Sequence, residues 1–423
     1  MKTIHKGVCT VILLGLAPAA QASGAGKPEP MWQKFYAVLA AVVRGGNKDA
    51  KQMVCLEVPG LLLTPLNSRE PADVSYVNQL LDQTAAYNPV HTRGKSTFSK
   101  VYDEIMQFHV ADRAVPLTPH QLADFDRAVE LTKPTGASMK QYEKCQDEYD
   151  AATMAQEAER LANKASGKDA KVQAATSTRV TRAWNAWMLQ GKKKEVEAAL
   201  GTAMKYMNGD PASWWYARNN DFQKAAFQDG YIVSTFPPVD QWASDNGWMT
   251  FSFRASSTQP TDLNTMDVKA AALLKLGGGQ AAGQMQALAA DHSLEITMKI
   301  KKVIILRPWA DWQVFASDRW TWDRGVISDG KGEGRLPLYT TAFIIARDVT
   351  FKANSITPAF KQAYEKELKA PGQPSFGPFS LRPKGGRKPG AAQEAQNEIT
   401  IRDPQIVAYV CTIVPKCPAK TVK

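Results

Sequence analysis

The stretch LEITMKI at residues 294–300 decides the fold class of this chain. Every second residue in it is apolar, namely Leu294, Ile296, Met298 and Ile300. This period of two is typical of a β-strand with one face buried. The apolar run 303–306 continues the strand, and Pro308, which has no backbone N–H to donate, ends it.

Further strand patterns lie on both sides of this stretch, at 231–236, 248–253, 338–351, 398–401 and 405–414. Between about residues 98 and 207, apolar residues instead recur at three- and four-residue spacing, as on one face of a helix. The strands come in a cluster and do not alternate with helices. This order predicts an α+β fold with an N-terminal helical half and a C-terminal antiparallel strand-rich half.

The patterns divide the chain into three regions. Residues 1–22 are predicted to be a signal peptide, 23–208 a mainly helical region, and 209–423 a strand-rich region with a Pro/Gly-rich loop at 371–390. The apolar segment 54–63 is interrupted by Pro59 and Gly60, so we interpret it as a turn-linked strand or a loop.

The signal-peptide prediction rests on the order of features at the N-terminus. Lys2 and Lys6 precede the apolar run 8–16, and Ala20 and Ala22 form a small-x-small cleavage site. The protein is therefore expected to be secreted or periplasmic after cleavage near Ala22. The alternative is a buried N-terminal helix.

The composition is that of a globular protein with a basic surface. Of 423 residues, 44% are hydrophobic and 22% charged, and the formal net charge is +11. This surplus favours an anionic partner, which we expect to be a membrane surface or an envelope glycan. Nucleic acid is not expected, because the chain has no recognition motif for it and is predicted to be exported. Self-association is left open.

Four cysteines remain after the predicted cleavage, since Cys9 lies in the signal peptide. In an oxidising compartment an even number usually pairs. Pro415 favours a turn, so we predict one disulfide between Cys411 and Cys417 and a second between Cys55 and Cys145. No pair has C-x-x-C spacing, and we predict no metal site and no cofactor.

Residues 307–334 combine tryptophans with carboxylates. The tryptophans are Trp309, Trp312, Trp320 and Trp322. Their rings could stack on sugars or lie at a membrane interface, or they could fill the core. A second candidate binding element is the basic loop residues Arg382, Lys384, Arg387 and Lys388, which could contact phosphate or anionic lipid or simply be solvated.

Catalytic signals are sparse. The candidate acid–base residues are Asp311, Asp318, Asp323 and Asp329. The chain has no G-x-S-x-G or H-E-x-x-H motif, so nucleophilic and zinc-dependent hydrolysis are not predicted. This argues for binding over catalysis.

The leading functional hypothesis is an exported binding protein at a membrane surface or an anionic, glycan-bearing envelope. Its sharpest form is a toxin-like or pore-forming role, with the low-charge segment 265–290 as a membrane-seeking element. That segment could equally pack on the sheet. The alternatives are a secreted polysaccharide hydrolase using paired carboxylates and a structural subunit of an extracellular assembly.

Overall fold

The computed structural model describes residues 31–45, 51–64, 66–111, 117–166, 172–206, 211–227, 230–256, 288, 290–369, 375–381 and 397–419. The predicted signal peptide, residues 265–287 and the basic loop 382–388 lie outside the described residues. Predictions for those three segments therefore stay predictions.

The described residues form ten helices and fifteen strands. The helices are α1 (Met31–Val43), α2 (Pro71–Leu81), α3 (Phe98–Phe108), α4 (Pro119–Leu131), α5 (Ala137–Ala165), α6 (Ala174–Leu189), α7 (Lys193–Tyr206), α8 (Pro211–Lys224), α9 (Gln313–Ala316) and α10 (Pro358–Lys369). The strands are β1 (Gln52–Leu62), β2 (Gln83–Ala85), β3 (Arg93–Thr97), β4 (Val110–Ala111), β5 (Ala226–Phe227), β6 (Gly230–Tyr231), β7 (Ser234–Phe236), β8 (Met249–Arg254), β9 (Glu295–Leu306), β10 (Trp320–Thr321), β11 (Leu338–Lys352), β12 (Ser375–Phe376), β13 (Phe379–Ser380), β14 (Glu398–Ile401) and β15 (Gln405–Ile413).

Nine of these strands form one antiparallel sheet, and the α+β prediction is confirmed. β9 lies between β11, where Ala342 is opposite Ile304, and β8, where Met249 is opposite Ile300. β15 pairs with the other edge of β11 and also with β1. The alternation at 294–300 reports this directly, because the four apolar residues are buried on one face.

Helices cover both faces of the sheet. On one face, α1 and α5 pack on the apolar residues of β8 and the first half of β9. On the other face, α2 packs on the second half of β9 and on alternate residues of β11 and β15. A third core joins α3, α4, α7 and α8 to the segment 309–336.

The start of α4 shows how local sequence sets a helix boundary. The Thr118 hydroxyl accepts from Gln121 N at 3.3 Å, and the Gln121 side chain accepts from Thr118 N at 2.9 Å. Pro119 follows as the first helical residue, where its missing N–H has no consequence. This reciprocal capping fixes the residue at which α4 begins.

The segment 54–63 belongs to a full strand, β1, that lies in the sheet. β1 pairs with β15, with an irregularity between Leu56 and Leu61 where Pro59 cannot donate to the ladder. A side chain on Gly60 would place its Cβ within 2.6 Å of the Pro378 carbonyl oxygen. The apparent turn signal thus marks a bulge and a close backbone approach.

The disulfide predictions are wrong. None of the four described cysteines forms a disulfide, and all four are buried. Cys55 and Cys411 lie on neighbouring strands with their sulfurs 3.9 Å apart, well beyond the roughly 2 Å of a disulfide bond. Cys145 of α5 packs with Trp187 of α6. Cys417 lies in the core that joins α3, α4, α7 and α8 to the segment 309–336. The chain does not turn back on itself at Pro415. Cys417 instead exchanges backbone hydrogen bonds with Ser328.

Within the described ranges, no helix is long and apolar enough to cross a membrane. The toxin-like role has no support in the structure and is not carried further.

Candidate functional site

Three of the four predicted tryptophans belong to the core. Trp309, Trp320 and Trp322 are each less than 5% exposed in the cluster with α3 and α8. The Trp320 indole N–H donates to Val314 O at 3.0 Å and that of Trp309 to Ile232 O at 2.7 Å, whereas the buried indole N–H of Trp322 has no hydrogen-bond partner among the described residues. Trp312 differs because it is 41% exposed.

The four predicted carboxylates do not converge on one site. Asp311 is partly buried and accepts from Arg218 at 3.1 Å. Asp329 holds its own loop by accepting from the backbone N–H groups two and four residues further on. Asp318 lies 3.4 Å from Arg319, and Asp323 is exposed. Only Asp311 reaches the cavity described next.

A cavity of about 520 Å³ lies where the helices meet the end of β9. One wall is the turn between α4 and α5 with the first turns of α5, including Lys140 and Glu143. The opposite wall is the end of β9 and the following segment to residue 313, together with Tyr339 of β11. This volume suits a small organic ligand, and ligand sites favour such apolar clefts with a few convergent polar groups.

Aromatic rings form much of the cavity lining. The ring centroids of Trp312 and Tyr339 are 5.5 Å apart, and Phe315 stacks nearly parallel to Tyr339 at 6.4 Å. Phe98 lies 5.4 Å from Tyr339 on the other side. These contacts hold Trp312 in place while leaving part of its ring open to solvent.

Arg307 brings a buried positive charge to this wall. Its Nη1 donates to Thr340 O at 2.7 Å and its Nη2 to Leu81 O at 2.6 Å. Its Nε is buried and has no hydrogen-bond partner among the described residues. Burial lowers the pKa of Arg307 to about 10, with the negative charge of Asp82 opposing, so the side chain stays charged at neutral pH.

Glu143 brings a carboxyl group with an unusual protonation equilibrium. Burial raises its pKa to about 7, against the opposing effect of Lys140. One turn further along α5, burial and the charge of Asp150 raise the pKa of Asp147 to about 8, while Lys302 on β9 opposes the rise. A carboxyl group that is half protonated near pH 7 can donate or accept a proton.

Asp311 is the second carboxyl group in the cavity wall. Burial raises its pKa, and the ion pair with Arg218 opposes that rise. The backbone N–H of Asp311 donates to the Tyr102 hydroxyl at 2.9 Å, which anchors the segment. The carboxylate is therefore charge-compensated and fixed in position.

The described part of the chain contains no group of three or more His, Cys, Asp or Glu residues that could hold a metal ion. Comparisons with protein-family models, curated proteins and solved structures found no match to this chain. The cavity chemistry is therefore the basis for a functional proposal.

Two of the cavity residues were missed by sequence reasoning. Glu143 lies in a helix rich in acids, where nothing in the pattern separates it from exposed neighbours. Arg307 lies in sequence beside the aspartates of 311–329, but it bonds to carbonyl oxygens instead. The sequence position of Arg307 was the one usable signal. Arg307 directly follows the apolar run of β9, so the strand brings it into the cavity wall.

Proposed function

We propose that the cavity binds one ring unit of a saccharide. The observation that carries this proposal is Trp312, a partly exposed indole that lines a cavity of suitable volume beside carboxyl and hydroxyl side chains. Aromatic faces pack against the C–H faces of sugar rings, while acids and hydroxyls bond to the sugar hydroxyls. This proposal keeps the glycan part of the sequence-based hypothesis.

The cavity supplies polar groups of the required kind. Four residues with a side-chain hydroxyl line the cavity, namely Thr132, Thr135, Thr341 and Ser234. A hydroxyl both donates and accepts, so it suits a ligand whose own hydroxyls do the same. The Thr132 and Thr341 hydroxyls already donate to Ala128 O and Val410 O, so they would serve a ligand as acceptors.

The test is direct binding of a panel of trisaccharides to the full chain, measured by calorimetry and by tryptophan fluorescence. Cellotriose, maltotriose, chitotriose and trigalacturonate sample neutral, N-acetylated and acidic sugars. W312A is expected to weaken any binding about tenfold or more, because it removes the stacking surface. The matched control is W184A, since Trp184 is 39% exposed on α6 and does not line the cavity. Absence of binding to the whole panel, or equal loss in both variants, would refute the proposal.

A second candidate function is hydrolysis of a glycosidic bond, and the raised pKa of Glu143 favours it. The protonated Glu143 carboxyl would give its proton to the leaving glycosidic oxygen as the C–O bond breaks. Water would attack the anomeric carbon and pass its proton to the Asp311 carboxylate. This assignment replaces the pairs within 311–329, of which only Asp311 lies in the cavity.

The two candidates separate in E143Q. If the cavity only binds, this variant keeps affinity and neither protein releases reducing ends from the trisaccharides. If it hydrolyses, the unmodified chain releases them and E143Q binds without turnover. Product release that is equal in both proteins would exclude Glu143 as the acid.

A further inference from the structure

We propose that Arg307 makes the cavity selective for a saccharide unit that carries a carboxylate, a uronic acid. This inference rests on the proposed saccharide binding and names its ligand class. Its basis is the half-buried Arg307 side chain in the cavity wall, whose guanidinium has donors without partners among the described residues.

Arg307 has more hydrogen-bond donors than partners among the described residues. A guanidinium has five N–H donors. Two carbonyl oxygens, of Thr340 and Leu81, accept from Nη1 and Nη2, and the buried Nε has no partner among the described residues. Nε has no exposed surface, so a ligand in the cavity would reach the guanidinium through the remaining Nη hydrogens, one on each nitrogen, and two such donors can hold a carboxylate by parallel hydrogen bonds.

The charge of Arg307 also favours an anionic ligand. Neither carbonyl partner is charged, and the described residues include no ion pair to this side chain. The nearest compensating carboxylate, Asp82, instead accepts from Ser99 N and from the Ser99 hydroxyl. A buried charge without a directly bonded counter-charge is costly, and an anionic ligand would offset that cost.

The other charged residues of the cavity favour an anionic ligand too. Lys140 adds a second positive charge, and Asp311 is already paired with Arg218. Glu143 is partly neutral at pH 7 because burial raises its pKa. The cavity therefore has a positive surplus, which agrees in sign with the net charge of the whole chain.

The decisive comparison needs no variant. Trigalacturonate and its methyl ester have the same ring and hydroxyls, but only the first has carboxylates. The full chain is expected to bind the acid about ten- to a hundredfold more tightly at moderate salt, as for a charge-assisted pair of hydrogen bonds. Equal affinities would overturn the role of Arg307 and leave saccharide binding intact, whereas no binding of either compound would overturn both.

Two variants locate the selectivity. R307K keeps the charge but lacks the paired donors, so it should lose most of the preference for the acid while still binding the ester. K140Q should lose little, because Lys140 is exposed and presents a single point charge. Loss of the preference in K140Q but not in R307K would refute the assignment. If R307K does not fold, K140Q and the acid–ester comparison together still decide it.

Discussion

The carboxyl group of Glu143 should make the stability of this protein fall as pH rises. Its pKa is about 7 in the folded chain, against an ordinary value of 4.5, and burial is the main cause. Between these two values the unfolded chain has released the proton and the folded chain still holds it. The contribution of Glu143 to the free energy of unfolding therefore decreases through this window and levels off above pH 7.

The magnitude follows from the size of the rise. At about 1.4 kcal/mol per pKa unit, a rise from 4.5 to about 7 corresponds to about 3 kcal/mol. Because the side chain is partly open to solvent, we expect roughly 1–2 kcal/mol. E143Q cannot ionise, so it should match the unmodified chain at pH 4 and exceed its stability by that amount at pH 8.

Urea unfolding from pH 4 to 9 measures this difference directly. E148Q is the matched control, since Glu148 is an exposed acid on the same helix. It should give a small difference with no step between pH 4.5 and 7. A difference between E143Q and the unmodified chain that is the same at every pH would show that the carboxyl group is not buried as described.

Three further predictions concern the core and the cavity wall. W320A should lower the free energy of unfolding by about 3–5 kcal/mol, because Trp320 is fully buried. W312A should lower it by less than about 1 kcal/mol. Similar values for the two variants in chemical unfolding would contradict the division into core and ligand-binding tryptophans. R218M removes the partner of Asp311 and should lower the free energy of unfolding by about 3–5 kcal/mol at pH 8. The loss should be smaller at pH 4, where the Asp311 carboxylate can take up a proton. A loss that does not depend on pH would argue against this ion pair. Thiol titration in denaturant without reductant should detect at least four thiols, one for each described cysteine, and a lower count would restore a disulfide.

The sequence predicted the sheet best where one face alone is buried. The alternation from Leu294 to Ile300 translates directly into β9, because each apolar residue of that stretch faces the α1 side. Beyond Ile300 the buried face changes, with Val303 and Ile305 packing on the α2 side. A continuous apolar run predicts a strand but cannot say which helix covers which face.

The cysteine pairing failed for a physical reason that local sequence does not contain. Cys411 and Cys417 are close in sequence, but β15 ends between them and they enter different cores. The neighbour of Cys411 is Cys55, which the strand register brings from the other end of the chain. Short spacing is evidence for pairing only when the intervening residues turn back.

The candidate site was predictable only in part. Trp312 and Asp311 were named from composition, whereas Glu143 comes from a helix more than 160 residues earlier. Long-range packing of α5 against the end of β9 creates the cavity, and no periodicity encodes that meeting. The buried guanidinium of Arg307 became informative only once its partners were known.

The pairing of β1 with β15 has a consequence for how the chain is made. Cys55 and Cys411 are separated by 356 residues, so at about 5–20 residues per second the ribosome needs roughly 20–70 s to supply the partner strand after β1 has emerged. During that interval α1 and α2 can already cover the faces of β1, but the edge that pairs with β15 is open to wrong partners. The sheet can close only late in synthesis, which makes this protein a strong candidate for chaperone holding and for slow, topology-limited folding.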